Sequence, residues 1–195
     1  NVDLVRNLSL NGASAKVCSA AKALRCQTCA RSAPPNIPRP AKLQHTGDFN
    51  DDVGLDFIYL KDYDEKGFWF LSVVDLAPTY HVVRHVPSHI PTVVAEAFND
   101  AWVAWAGIPF KVQRDPDGAF KSHFGEALEA FGVYVHCTAG PAPWQHGRTE
   151  RQGGWFKELF RRVVTHEVVR GEFAKKAAPR AVDGAKNTLI QPIGF

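Results

Sequence analysis

The chain has 195 residues, of which 45% are hydrophobic and 11% aromatic, and a formal charge of +3. That composition excludes a disordered or low-complexity chain and favours one packed domain with extensions. No apolar run approaches the roughly 20 residues that cross a bilayer, and no signal-peptide pattern opens the sequence, so a soluble intracellular protein with no membrane partner is expected.

Residues 1–33 read as helical. Val2, Leu4, Val5, Leu8 and Leu10 cluster, Asn11-Gly12 interrupts, and alanine-rich helix formers resume at Ser14. Cys26-Gln-Thr-Cys29 follows, either half of a tetrahedral metal knuckle or two core thiols. Residues 34–47 are proline-rich and basic, the composition of a semi-rigid linker, and mark the clearest boundary in the chain. The sequence starts at Asn1 and contains no Met, which suggests a piece of a longer chain or polyprotein.

From Asp48 the pattern changes to strands. Residues 53–60, 67–74 and 80–86 are apolar, β-branched or aromatic runs joined by short turns, which predicts an antiparallel meander. Residues 88–106 carry apolar side chains at helical spacing, with Ser88 as the expected cap. Next come a strand to Arg114, a helix over 122–131, a strand over 133–137, a Gly/Pro-containing loop over 138–146 and a long helix over 147–169. The order β-β-β-α-β-α-β-α predicts an α/β fold with a mixed five-stranded sheet flanked by helices. A core over 48–172 and a poorly ordered tail over 173–195 complete the expected organisation.

Three acids stand out. Asp56 interrupts the apolar run Leu55, Phe57, Ile58, where a carboxylate is costly unless an Arg or a cation neutralises it. Asp115 and Asp117 flank Pro116 at a strand's carboxyl end, where ligands bind in open α/β sheets. Glu150 opens the last helix, where it also complements the helix dipole. At 100° per residue, Lys157 and Arg161 fall within about 20° of Glu150, while Trp155, Phe156, Leu159, Phe160 and Val163 are expected to face the core. From residue 145 onward ten Lys and Arg face five acids, whereas residues 48–75 are acidic. That pairing suits either metal ions beside a polyanion or a solvated helix face.

Leu55-Asp56-Phe57, the stretch Arg114-Asp115-Pro116-Asp117-Gly118-Ala119-Phe120 and Gly147-Arg148-Thr149-Glu150-Arg151 together resemble the catalytic core of retroviral and LTR-retrotransposon integrases. Thirty-four residues separate Asp115 from Glu150, close to the family's usual 35. The resemblance implies a ribonuclease H-like fold and an Asp-Asp-Glu triad at Asp56, Asp115 (or Asp117) and Glu150 holding Mg²⁺ or Mn²⁺. It further implies DNA contacts from Arg148, Arg151, Lys157 and Arg161, with substrate touched by the 138–146 loop. DNA end-processing and strand transfer, homo-oligomers and work in the nucleus are implied as well. Cys26 and Cys29 match the second half of that family's zinc module, making residues 1–33 a remnant of it. Gly154 stands where the family often has a Lys, and no recognisable C-terminal DNA-binding module follows. A ribonuclease H-type nuclease or transposase, or a domesticated binding module without catalysis, are the alternatives.

Overall fold

The computed structural model describes residues 2–25, 27, 47–115, 120, 123–137 and 147–189. Cys26, Cys29, residues 34–46 of the proline-rich linker, Asp117 and the 138–146 loop lie outside the described residues. Helices α1 (Val2–Leu10) and α2 (Ala15–Ala23) form a hairpin that breaks at Gly12, whose φ of 76° a side chain would disfavour. Ser14 caps α2 by accepting a hydrogen bond from the Val17 N–H.

Strands β1 (Asp52–Lys61), β2 (Gly67–Asp75) and β3 (His81–His85) make the expected meander. Helix α3 runs over Pro91–Phe98, continues through a π-helical segment at Asn99–Val103 and ends with Ala104–Ala106. It begins later than Ser88, because a residue preceding Pro avoids the helical region. Ile90 therefore stays extended at ψ 130°, and Pro91 takes the first helical position without a side-chain cap. Strand β4 (Lys111–Arg114), helix α4 (His123–Ala130), strand β5 (Tyr134–Cys137) and helix α5 (Gly147–Glu167) follow.

The sheet order is β3-β2-β1-β4-β5, with β1, β4 and β5 parallel and the meander antiparallel. Side chains alternate across a strand, and β1 separates the two cores accordingly. Val53 and Leu55 join Phe98, Trp102, Phe120 and Phe124 on the α3–α4 face. Ile58 and Leu60 join Phe156, Phe160 and Val164 on the α5 face. Trp155, expected in that core, is 44% exposed instead. It adjoins Phe156, and α5 turns only one side to the sheet.

The expected disorder after residue 173 does not hold over the described residues 174–189. Helix α6 (Gly171–Leu189) packs Ala174, Ala178 and Val182 against the α5-side core. It also covers the edge strand. Asn187 accepts from the His81 N–H at 3.0 Å and donates to the His81 carbonyl at 2.7 Å, and Asp183 accepts from the Val83 N–H at 3.0 Å. These side chains satisfy backbone groups that an edge strand would otherwise present to another chain. Pro179 lies inside this helix, where its missing N–H breaks one turn of the ladder. No helix among the described residues is long and apolar enough to cross a membrane.

Candidate active site

Two glycines let α5 lie close to β1. Gly54 is wholly within the strand, and a Cβ there would stand 2.2 Å from Thr149 Oγ1, a contact that real structures do not tolerate. Thr149 is itself buried. One turn further along α5, a Cβ at Gly153 would stand 3.6 Å from Ile58 Cγ2 and 3.8 Å from Asp56 Oδ2. The helix therefore crosses β1 with its bare side against Asp56, which remains half-buried rather than sealed in the sheet. Gly54 and Gly153 were not singled out from sequence; a glycine inside a strand is the signal that marks such an approach.

Strand pairing sets the second acid. β1 and β4 run parallel, with Gly54 opposite Gln113 and Leu55 opposite Arg114. Asp56 follows Leu55 in the middle of β1, and Asp115 follows Arg114 just past the end of β4. Paired strands lie roughly 4.8 Å apart along the hydrogen-bonding direction, so the two acids sit on adjacent segments of the chain. Arg114 Nη1 donates to the Asp115 carbonyl at 3.2 Å and lies 3.7 Å from the exposed Cys137 Sγ, which ties the ends of β4 and β5 together.

Glu150 occupies the first turn of α5, one turn before Gly153, and is exposed. Among the described residues no three His, Cys, Asp or Glu side chains are gathered tightly enough to hold a metal ion. The described acids thus do not close into a ligand shell. Their chemistry suits a hard divalent cation, which takes carboxylate oxygens, and Gly153 itself sets no side chain against Asp56. The later acids of α5 are engaged elsewhere: Glu158 pairs with Arg162, and Glu167 lies 2.6 Å from His166.

The cations divide into two sets. Arg148 Nη1 donates to the Leu76 carbonyl at 2.7 Å, so this residue anchors the start of α5 to the turn after β2. Arg151, Lys157 and Arg161 are exposed along the helix.

The acidic stretch after Asp48 does not make a metal cluster. Asp51 accepts from the Asp48 N–H, and Asp52 binds Lys111 and Gln113. The buried Asp75 accepts from the Asn50 and Ala77 N–H groups. Burial pushes the Asp75 carboxyl above its ordinary value, aided by the Asp51 and Asp52 charges and opposed by the two N–H donors. Burial also works against the charge of Asp62, but N–H donors from Gly171, Lys66 and Asp64 outweigh it and hold that carboxyl below its usual value. These acids fasten turns.

The sheet order, with α5 laid across β1, defines the ribonuclease H-like class. Within that class the chain resembles the catalytic cores of retroviral integrases. No family model matches the chain, and no curated protein matches it. Among solved structures it is similar to a chain of the simian T-cell lymphotropic virus intasome in complex with the PP2A regulatory subunit B56 gamma, with a TM-score of 0.65 and 18% identity. That match covers 91% of this chain, which spans 62% of the other's length. The HTLV-2 integrase catalytic core domain in complex with magnesium is similar in its trimeric form (TM-score 0.58, 19% identity) and its dimeric form (0.56, 17%). Both matches cover 70% of this chain and 84% of theirs. At such identities the likeness shows the fold.

Proposed function

We propose that this chain is the catalytic core of an integrase from an LTR retrotransposon or retrovirus-like element, acting on DNA by divalent-metal-dependent phosphoryl transfer. The observation that carries the reading is the parallel pairing that sets Leu55 opposite Arg114, each one residue before an acid, beside a helix that holds Glu150 in its first turn. Water attacks a phosphodiester near the 3′ end of the element's DNA and frees a 3′-OH. That hydroxyl then attacks a phosphodiester of target DNA, one P–O bond forming for each that breaks.

Asp56, Asp115 and Glu150 are the residues that would hold divalent cations, through carboxylate oxygens of the kind such ions take. Bound Mg²⁺ or Mn²⁺ supplies activation of the attacking oxygen and neutralisation of charge on the leaving one. Arg151, Lys157 and Arg161 hold the DNA backbone, giving salt-dependent affinity with little base preference. Arg148 positions the helix through the Leu76 carbonyl and leaves less of its guanidinium for DNA. Zn²⁺ would need ligands beyond Cys26 and Cys29. On this reading it works in the nucleus, within a homo-oligomeric integration complex, after cytoplasmic synthesis as part of a polyprotein.

The test is a strand-transfer assay with labelled element-end DNA and Mn²⁺, run beside cleavage of an RNA–DNA hybrid. Joined product that disappears in Asp56→Asn and Asp115→Asn supports the proposal. Hybrid cleavage without joining would assign the site to a ribonuclease H-type nuclease. Neither activity from a folded chain would leave a binding module.

A further inference from the structure

Beside Asp56 the sheet carries a polar pair that packing alone does not call for. Ser72 on β2 and His81 on β3 are both fully buried, with Ser72 Oγ 2.8 Å from His81 Nε2. Their surroundings are apolar. Phe156 meets the imidazole edge-on at 5.4 Å, and Phe70 and Val83 line the same face. Two apolar side chains of the same shape would fill this place without burying polar atoms. The pair is also held from outside the sheet, since Asn187 of α6 engages both the N–H and the carbonyl of His81.

The pairing register sets this pair next to the candidate site. Asp56 of β1 stands opposite Ser72 of β2. Opposed side chains of an antiparallel pair share a face, with Cβ atoms roughly 4.5–5.5 Å apart. The neighbouring positions of that face on β1 and β2 bring no side-chain donor, being Gly54, Ile58, Phe70 and Val74. Thr149 supplies a second hydroxyl, but over Gly54 and not opposite Asp56.

The imidazole sets the direction of the bond. Burial, and then the Lys186 charge, keep the ring neutral, and a neutral ring carries one proton on its two nitrogens. Among the described residues His81 Nδ1 has no hydrogen-bond partner. A proton there would make a buried donor without an acceptor, the kind of orphan that folded chains avoid most. Nε2 therefore carries it and donates to Ser72 Oγ, which leaves the Ser72 O–H to donate in its turn.

We propose that Ser72 and His81 are positioning residues for Asp56. The serine hydroxyl donates to the carboxylate oxygen that is not on a cation, and the histidine holds that hydroxyl in place. The inference rests on the metal-dependent reading of the site and adds the support behind its first acid. Carboxylates that hold metal ions are themselves hydrogen-bonded by an outer layer of side chains, and losing such a partner costs about 10–100-fold in metal affinity. The same row of bonds ties α6 to the site, because Asn187 fixes the strand that carries His81.

Two measurements on the full chain test it. In EDTA, nitrogen NMR of the histidine rings, with His81→Gln to assign the signal, should show His81 neutral with its proton on Nε2. A proton on Nδ1 would turn the Ser72 hydroxyl toward the ring and overturn the proposal. Calorimetric titration of Mn²⁺ should show affinity lower by about tenfold or more in Ser72→Ala and Ser72→Val, and within about threefold of wild type in Ser72→Thr, with circular dichroism unchanged. Thr and Val share one shape, so a packing role predicts equal affinities in those two variants. That result would overturn the proposal, as would wild-type affinity in Ser72→Ala. A folded wild-type chain that binds no Mn²⁺ overturns the reading of the site and this inference with it. Wild-type binding that the Ser72 substitutions leave unmoved overturns this inference alone.

Discussion

The two faces of the sheet are built by different means. The α3–α4 face is filled by large rings. Phe57 stacks on Phe120 at 4.6 Å, Phe98 meets Phe124 edge-on at 5.8 Å, and Trp102 is wholly buried with its indole N–H on Asn50. The α5–α6 face buries rings as well, Phe70, Phe156 and Phe160 among them, and adds close approach. Gly54 and Gly153 let a helix touch the strand, and small alanines and polar clamps hold the last helix to the sheet edge. A face filled by rings tolerates little beyond packing, whereas a face left bare at two glycines keeps a half-buried carboxylate accessible. The candidate site lies on the second face for that reason.

The largest expected effect comes from filling the closest approach. Gly54→Ala places a methyl against Thr149 Oγ1, and overpacking of this kind costs about 1–3 kcal/mol. Urea denaturation should show the loss, and Gly54→Ala/Thr149→Ala should recover part of it, because contacting residues are not additive. A loss unchanged in the double variant would mean that helix approach does not set the stability of this face.

A smaller effect concerns the clamp between β3 and α6. His81 is wholly buried with Nε2 2.8 Å from Ser72 Oγ; burial, and then the Lys186 charge, push its pKa well below 6.5. The folded chain keeps it neutral while the unfolded chain takes up a proton, so its contribution is full above pH 6.5 and is lost as pH falls below it. Asp183 acts oppositely. Burial raises its carboxyl to about 7, against the pull of the Val83 N–H and Arg84, so the folded chain holds a proton that the unfolded chain releases above about 3.8. Stability from that group falls as pH rises through this window. The two slopes, each up to about 1.4 kcal/mol per pH unit, oppose one another between roughly pH 4 and 6.5. Stability of Asp183→Asn should therefore fall on acidification more steeply than wild type, and that of His81→Gln should rise. Parallel curves for all three proteins would show that the clamp does not titrate.

The contrast between faces also explains what could be read from the residues. The aromatic and β-branched runs of the meander, and the helical spacing of Val94, Phe98, Ala101 and Trp102, are large apolar signals, and those elements appear where expected within a few residues. Helix α6 escaped because its buried positions are Ala174, Ala178 and Val182, while Asp183, Lys186 and Asn187 read as a solvated face until an edge strand is set beside them. Ser88 looked like a cap because hydroxyls suit that position, but Pro91 moved the start. Asp56 and Asp115 were legible as acids in unusual places; that β4 pairs beside β1, with Leu55 opposite Arg114, is tertiary information. Arg148 was grouped with the DNA contacts because the Leu76 carbonyl, 72 residues earlier, is invisible to local pattern.

The central claim is that Asp56, Asp115 and Glu150 serve one divalent cation site. Isothermal titration of Mn²⁺ into the folded chain, repeated with Asp56→Asn, Asp115→Asn and Glu150→Gln, measures this directly. Saturable binding in wild type that is lost in Asp56→Asn and weakened at least tenfold in each of the other two is the predicted result. Binding that survives all three substitutions unchanged, or none in a wild-type protein that is folded, would contradict it.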